Sequence, residues 1–394
     1  MTIDTGKIER PIGRILVLGG YGHFGARICR ALAEDGRAEV VIAGRRRPRA
    51  EALAKQLREA CPGAAVRAAE LDWREPRFVR RLGTIAPTIV IHTAGPFQRQ
   101  DYTVAEASIA CRSHYLDLAD SRHFVAGFDE LDKPARRRNL RLVTGASTLP
   151  GVSSMVVRHL ARDLAAIERV EVAILSANQS PRGKATVAGV LSYCGSPFQT
   201  LRNGRWVASH GWQDLRKLRF GAAGRWVGAC DVPDLELFPR HYAGVGSVTF
   251  HAGLELAWQQ WALWGMAGLT RAGIVRDWAR YAGLFALASR LTRRLGSATG
   301  GMEVRIAGRG QSGAPIARTW RLTAGSNHGP HIPCVPAIVL AKRWIAGDFG
   351  PRGAKPCLSM IGLDDFAAEV AALDVSWSFT EEEGGSKDVE AFAR

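Results

Sequence analysis

The sequence predicts an α/β protein: an N-terminal doubly wound parallel sheet followed by a second, α+β domain. Three observations predict it. Ile15, Leu16, Val17 and Leu18 form an unbroken apolar run, the pattern of a parallel strand buried on both faces. That run opens onto Gly20, Gly22 and Gly25, spaced as G-x-G-x-x-G ahead of an amphipathic helix. From there to residue 150, apolar runs alternate with helical patterns, as parallel strands joined by right-handed crossovers do.

Each glycine of the turn has a physical task. Gly20 allows the tight turn, Gly22 lets the backbone approach a pyrophosphate, and Gly25 lets the helix pack close to the strand. The helix over 24–34 aims its N-terminal amides at the same group, and Gly36 stands at its C-cap. A dinucleotide is therefore expected against Gly20, Tyr21, Gly22, His23, Phe24 and Gly25. A second strand over 39–43 ends in Gly44-Arg45-Arg46-Arg47, where an NAD site usually carries an acid. Arg45 and Arg46 suit a 2′-phosphate by charge and bidentate bonding, so the cofactor expected is NADP. The alternative is a solvated basic turn in an arginine-rich chain.

The rest of the first domain follows in order. A helix is predicted over 48–60 and a third strand over 64–71, ending in Asp72, which contacts adenine, caps a helix over 74–82, or does both. A fourth strand over 88–93 runs into Thr93-Ala94-Gly95, whose small residues would receive the nicotinamide half. Then come a helix over 100–111, a strand over 114–118, a helix over 124–138 and a strand over 140–144. Six strands alternating with helices make a Rossmann sheet.

Composition narrows the remaining classes. The 394 residues suffice for two domains. A net charge of +16 raises nucleic-acid binding, but no nucleic-acid motif and no dense basic block with interleaved aromatics supports it. The seven cysteines form no C-x-x-C pair, which predicts a reduced cytoplasmic protein and no zinc or other metal site. The stretch over 1–13 has no apolar h-region, so no secretory signal is expected.

In the second domain a crossover helix is predicted over 152–165 and a strand over 170–176. Arg182 and Lys184 lie in a turn and could hold a substrate carboxylate, or simply be solvated. A helix over 186–193 would face the cleft. Segments 204–207 and 224–228 read as paired hairpin elements, and 302–308 and 317–324 as strands around a turn. Between them, 253–294 carries Trp258, Trp261, Trp264 and Trp278 among leucines and arginines. Glu255, Gln259 and Gln260 argue against a membrane span there. Two readings stay open for 253–295: a helical pair that packs on the sheet or forms a dimer face, and an interfacial amphipathic contact with lipid. The acidic tail from Thr380 reads as a loose end.

Candidates for proton handling near the expected nicotinamide are Asp120, at a strand end, and Tyr102. Asp120 could equally cap a helix beginning near Arg122. Asp117 lies inside a strand and reads as structural. His114 sits at the wrong end of the sheet. His241, Tyr242, His328 and His331 carry no stronger reading than loop packing, and no cysteine has a local basic partner.

With these residues in place, the chain resembles the saccharopine dehydrogenase-like oxidoreductases. The resemblance rests on GGYGHFG, on AGPF followed by VAEA and HYLDLAD, on TLPGVSS, and on GPHIPCVPAIVLAKRWIAGDF with CLSMIGLDDF. It implies an NADP-binding domain over 1–150, a mixed-sheet substrate or dimerisation domain over 151–330, and a C-terminal segment over 331–394 that packs back on the first. It implies hydride transfer to or from an imine or amine carbon or, in some relatives, an enoyl lipid. The partners expected are a small-molecule substrate and a second copy of the chain. A competing reading is an NADP-binding interaction protein without turnover, at a membrane or lipid surface.

Overall fold

The computed structural model describes residues 13–220 and 224–383. Its first half alternates strand and helix as β1 (Gly13–Leu18), α1 (Gly25–Asp35), β2 (Ala38–Gly44), α2 (Arg47–Ala60), β3 (Val66–Glu70) and α3 (Phe78–Ile85). It continues through β4 (Ile89–His92), α4 (Thr103–Ala110), β5 (His114–Asp117), α5 (Arg122–Ala126), α6 (Asp132–Arg137), β6 (Arg141–Thr144) and α7 (Ser153–Leu160). The unbroken apolar run of β1 is explained by its two covered faces. Ile15 and Val17 pack with Ile28 and Leu32 of α1, whereas Leu16 and Leu18 pack with Phe78, Leu82 and Tyr115 on the opposite side. Truncating Ile15, Leu16 or Leu18 to alanine would cost about 2–5 kcal/mol.

The second half holds β7 (Leu164–Leu175), α8 (Lys184–Ser192), β8 (Pro197–Arg202), β9 (Arg205–His210), β10 (Arg216–Leu218), β11 (Arg225–Ala229), α9 (Asp234–His241) and β12 (Ser247–Gly253). Helices α10 (Ala257–Arg271) and α11 (Ala282–Leu291) follow, then β13 (Gly300–Gly310), β14 (Pro315–Ala324) and α12 (Val335–Ile345). The described chain ends with β15 (Gly353–Pro356), α13 (Leu363–Val370) and β16 (Val375–Glu383). The first sheet has the order β15-β6-β5-β4-β1-β2-β3 and is parallel throughout. The second runs β10-β11-β12-β7-β13-β14-β16, with β8 attached at β12 and β9 at β8, and it is mixed because among the described residues only β12 and β7 pair in parallel. The α/β class with a Rossmann sheet and a second mixed sheet is therefore what the chain forms.

The C-terminal segment packs back on the first sheet through α12, which lies on α1, and through β15, which adds a parallel strand beside β6 with Ala354 opposite Leu142. It then crosses again. Phe366 of α13 packs edge-on against Trp320 and Trp377 of the second sheet.

Several element expectations are corrected. The helix expected over 74–82 starts at Phe78, so Asp72 caps no helix; its carboxylate accepts from the Arg74 amide at 3.2 Å. The helix expected over 124–138 breaks at Gly127 into α5, a 3₁₀ turn and α6. Segments 204–207 and 224–228 do not pair with each other. β9 turns back onto β8 through Asn203 and Gly204, both at positive φ, and β11 pairs with β10 and β12. The acidic tail is not loose over 380–383: β16 pairs with β14, and Glu381 meets Arg318 at 2.6 Å. Residues 384–394 lie outside the described chain.

Candidate active site

A cleft of about 690 Å³ opens between the two sheets at the C-terminal ends of β1, β2, β4 and β5, where a doubly wound sheet presents ligands. Its floor is the glycine turn: Gly19, Tyr21, Gly22, His23 and Phe24 line it. Gly20 and Gly25 stand behind that surface and shape it. A Cβ on Gly25 would collide with the Gly19 carbonyl and lie 2.8 Å from Gly20 Cα. It would also lie 2.8 Å from Thr93 Oγ1, whose hydroxyl donates to Leu18 O at 2.9 Å. Burial, with Arg27 beside it, lowers the His23 pKa to about 4, so its ring is neutral at the turn.

The adenosine end carries Arg45, Arg49, Asp72, Trp73 and Arg74. Arg74 stacks over the Trp73 ring at 4.9 Å. Among the described residues none of these three arginines makes an ion pair, whereas Arg47 is held by Glu51 at 2.7 Å. Arg46 does not line the cleft; its backbone amide donates to the Tyr21 hydroxyl at 2.9 Å. That bond seats the Tyr21 ring against Gly44, where a Cβ would lie 2.6 Å from Tyr21 Cε1. No carboxylate ends β2. The glycine cradle fits a dinucleotide's pyrophosphate, and Arg45, Arg49 and the Trp73-stacked Arg74 make its adenosine end basic. Arg49 and Arg74 went unread in the sequence.

At the other end, Thr93, Ala94 and Gly95 line the cleft. Gln100 pins their loop by donating to Ala94 O (2.9 Å) and Pro96 O (2.8 Å), and its carbonyl meets His92 Nε2 at 2.9 Å. Beyond them stands a polar set. Gln98 Nε2 donates to Asp120 Oδ1 at 3.0 Å and to the Tyr193 hydroxyl oxygen at 2.9 Å. The cleft walls around Asp120 raise its carboxyl although the residue is solvent-exposed, and burial with Asp120 nearby raises the Tyr193 phenol, which stays protonated. Asp231 joins them in the lining and accepts from Arg122 at 3.2 Å. Arg122 also donates to Glu236 (2.6 Å) and to Gln199 O (2.6 Å), tying α5 to the second half.

Asp120 is thus in the cleft and does not cap α5, which Ser121 precedes. Tyr102 is not in the cleft. Its hydroxyl donates to Phe124 O at 2.7 Å and its ring packs on Phe124 and Phe128, so it is a core residue. Arg182 is spent on Ser176 Oγ (3.1 Å) and Ala177 O (3.2 Å) and does not line the cleft. Lys184 begins α8, and its side chain lies outside the described residues. Asp117 is structural, as read: Oδ1 accepts from Ala119 N, Gly145 N and Thr144 Oγ1.

The second half contributes an apolar wall: Ile174, Val190, Trp212, Val232 and Phe250, with Thr186, Tyr193 and Asp231 as its polar side chains apart from Cys230. Trp212 is fixed by its indole N–H donating to Val190 O at 2.9 Å. Among the described residues no arginine or lysine of this half reaches the lining. Gln98, Tyr193 and Asp231 were missed from sequence, since nothing local links positions 98 and 193.

Residues 15–149 match the family model of the saccharopine dehydrogenase NADP binding domain. The chain is 41% identical over 93 residues to the spectinabilin polyketide synthase system protein NorB of Streptomyces orinoci. That match covers 22% of this chain and only 4% of the length of NorB. The apo saccharopine dehydrogenase (L-Glu forming) of Saccharomyces cerevisiae superposes with a TM-score of 0.62 at 12% identity, over 93% of this chain and 100% of that one. GenD2 from gentamicin A biosynthesis, solved in complex with NAD, gives a TM-score of 0.37 at 14% identity, over 80% and 75% of the two chains. Residues 15–149 therefore match a saccharopine dehydrogenase NADP binding domain, and the chain as a whole shares the two-sheet, NAD(P)-binding oxidoreductase fold of the yeast enzyme.

Proposed function

We propose that the protein is an NADPH-dependent reductase of an apolar substrate bearing a carbonyl or an enoyl group. The observation that carries this reading is the Tyr193–Gln98–Asp120 set placed against a largely apolar wall. Arg45, Arg49 and Arg74 would hold the 2′-phosphate, and the glycine turn the pyrophosphate. When bound, the dinucleotide supplies a hydride to the substrate carbon. The chain's part is the accompanying proton. Gln98 uses both amide hydrogens, one on Asp120 and one on the Tyr193 oxygen, which leaves the Tyr193 O–H free to point into the cleft. That O–H meets the oxygen on which negative charge develops and gives it a proton. Tyr193 then regains a proton from cleft water, so the substrate gains one hydride and one proton in all. Val190, Trp212 and Phe250 exclude water around the reacting carbon and favour an acyl chain. The similarity to part of a polyketide synthase system protein supports a substrate of that kind.

A C–N centre is the second reading. Asp120 and Asp231 in the lining favour it, because their carboxylates would hold a cationic iminium or amine. The apolar wall, with no cation among its described residues to grip substrate carboxylates, favours it less than the first.

The test is a fluorescence titration with NADPH and NADH, followed by an NADPH-oxidation screen of enoyl and keto thioesters, ketones and imines. The expected result is NADPH preference and turnover of apolar carbonyl or enoyl compounds. Turnover confined to imines would transfer the assignment to the C–N reading. NADPH binding without any turnover would transfer it to a non-catalytic interaction protein.

A further inference from the structure

The outer helical layer formed by α10, α11 and their connection exposes apolar side chains in rows. Among the described residues, ten of the fourteen exposed large hydrophobics fall between Trp258 and Leu295. On α11 and just beyond, Leu284, Leu287, Leu291 and Leu295 are 65%, 53%, 77% and 67% exposed, at i, i+3, i+7 and i+11, one helical face. The opposite face of the same helix carries buried Ala282 and half-buried Phe285, and it packs on α8. The helix is therefore amphipathic in reverse of what a solvated surface needs. Single exposed leucines call for no explanation, whereas a contiguous row marks a contact surface.

Charge identifies the contact. Arg276, Arg280, Arg290, Arg293 and Arg294 are exposed around this row, and none makes an ion pair among the described residues. The acid within 257–295, Asp277, is held by Arg99 at 2.9 Å. A second copy of the chain docked face to face would set these arginines against their own kind. An anionic lipid surface complements them and accepts leucine and tryptophan at headgroup depth. No described helix is long and apolar enough to cross a membrane, so the layer would lie on the bilayer.

We propose that the α10–α11 layer docks the protein on the surface of an anionic phospholipid bilayer. The layer is coupled to the cleft by two links. α8 packs under α11 with its outer side and lines the cleft through Gly189 and Val190, with Tyr193 just after it. Arg99, which holds Asp277 of the layer, directly follows the cleft residue Gln98. Docking therefore places the cleft beside the lipid, and it stands independently of which reaction the cleft performs.

The experiment is vesicle flotation of the full chain with phosphatidylcholine alone and with about one-third phosphatidylglycerol, alongside sedimentation velocity. Flotation with the anionic vesicles is expected, weakened about tenfold by raising salt from ~0.1 M to ~0.5 M. The pair Leu287→Glu with Leu291→Glu, and the pair Arg290→Glu with Arg293→Glu, are each expected to lower vesicle binding at least about tenfold. NADPH affinity, read in both pairs, reports that the fold is intact. Wild-type protein that stays down with anionic vesicles overturns the proposal, as does equal binding to neutral and anionic vesicles. A dimer that the leucine pair dissociates, without vesicle binding, assigns the face to a second copy instead.

Discussion

Tyr21 and Gly44 form one contact across the adenosine end of the cleft: the phenol ring covers the glycine where a Cβ would lie 2.6 Å from Cε1 and 2.8 Å from the hydroxyl oxygen. The hydroxyl is fixed there by the Arg46 amide at 2.9 Å. The contact sets the shape of the surface on which Arg45 presents its guanidinium. Gly44→Ala is expected to displace the ring and weaken NADPH binding about tenfold, while changing unfolding free energy by less than ~1 kcal/mol. In a Tyr21→Ala background the same substitution should cost little further affinity, because the two residues share one contact. A double-mutant cycle read by cofactor fluorescence checks this, and strict additivity would count against it.

Cofactor choice should depend on more than one arginine. Arg45, Arg49 and Arg74 all line the adenosine end, and none is committed to a carboxylate among the described residues. Arg45→Glu is expected to reduce NADPH affinity about 10²-fold and to leave NADH affinity within about threefold, since only the former carries the extra phosphate. Arg49→Gln should give a smaller loss in the same direction, and added salt should narrow the NADPH-over-NADH ratio. Paired titrations of the three proteins decide it. Equal losses for both cofactors would mean that the arginines hold the shared pyrophosphate.

The parts of this site that were legible in the sequence are those made by neighbours in the chain. β1, the glycine turn and Arg45 lie within one strand-turn-helix-strand unit, so local spacing sufficed. Arg49 and Arg74 reach the same end of the cleft from the first turn of α2 and from the turn after β3. Their reach depends on side-chain direction, which periodicity does not encode. Tyr102 was misread because it follows the Thr93-Ala94-Gly95 loop closely in sequence, while its position just before α4 turns the ring inward to Phe124. Arg182 looked free in a turn, yet the carbonyl of Ala177 and the hydroxyl of Ser176 claim it. β16 was hidden by its acids, whose counter-charges Arg318 and Arg305 lie on β14 and β13, more than sixty residues away in sequence.

Proton delivery should be separable from cofactor binding. Tyr193 touches neither the glycine turn nor the adenosine end, and its hydroxyl oxygen is oriented by Gln98. Tyr193→Phe is expected to lower kcat by about 10²-fold or more on the substrate found by the screen, with NADPH affinity unchanged. Gln98→Leu should lose less, since it removes the orienting bond and leaves the donor. Steady-state kinetics with parallel titrations measure both. Unchanged kcat in Tyr193→Phe would remove the tyrosine from the chemistry.

Stability against pH should bear the mark of Asp234. This residue opens α9, is 1% exposed, and neither carboxylate oxygen has a hydrogen-bond partner among the described residues. Ser153 lies beside it, but the serine hydroxyl donates to Pro150 O at 3.2 Å. Burial raises the Asp234 pKa to about 7. A carboxyl raised on folding contributes stability that is complete below its unfolded value near ~4 and is lost as pH rises through its folded value. The protein should therefore lose on the order of 3 kcal/mol from this group between about pH 4 and pH 7. Asp234→Asn cannot ionise, so its unfolding free energy should fall less steeply over the same window, whatever its absolute stability. Denaturant titrations of both proteins at several pH values measure the slopes. Parallel slopes would mean that Asp234 ionises as readily folded as unfolded, and that water or an unassigned donor reaches its carboxylate.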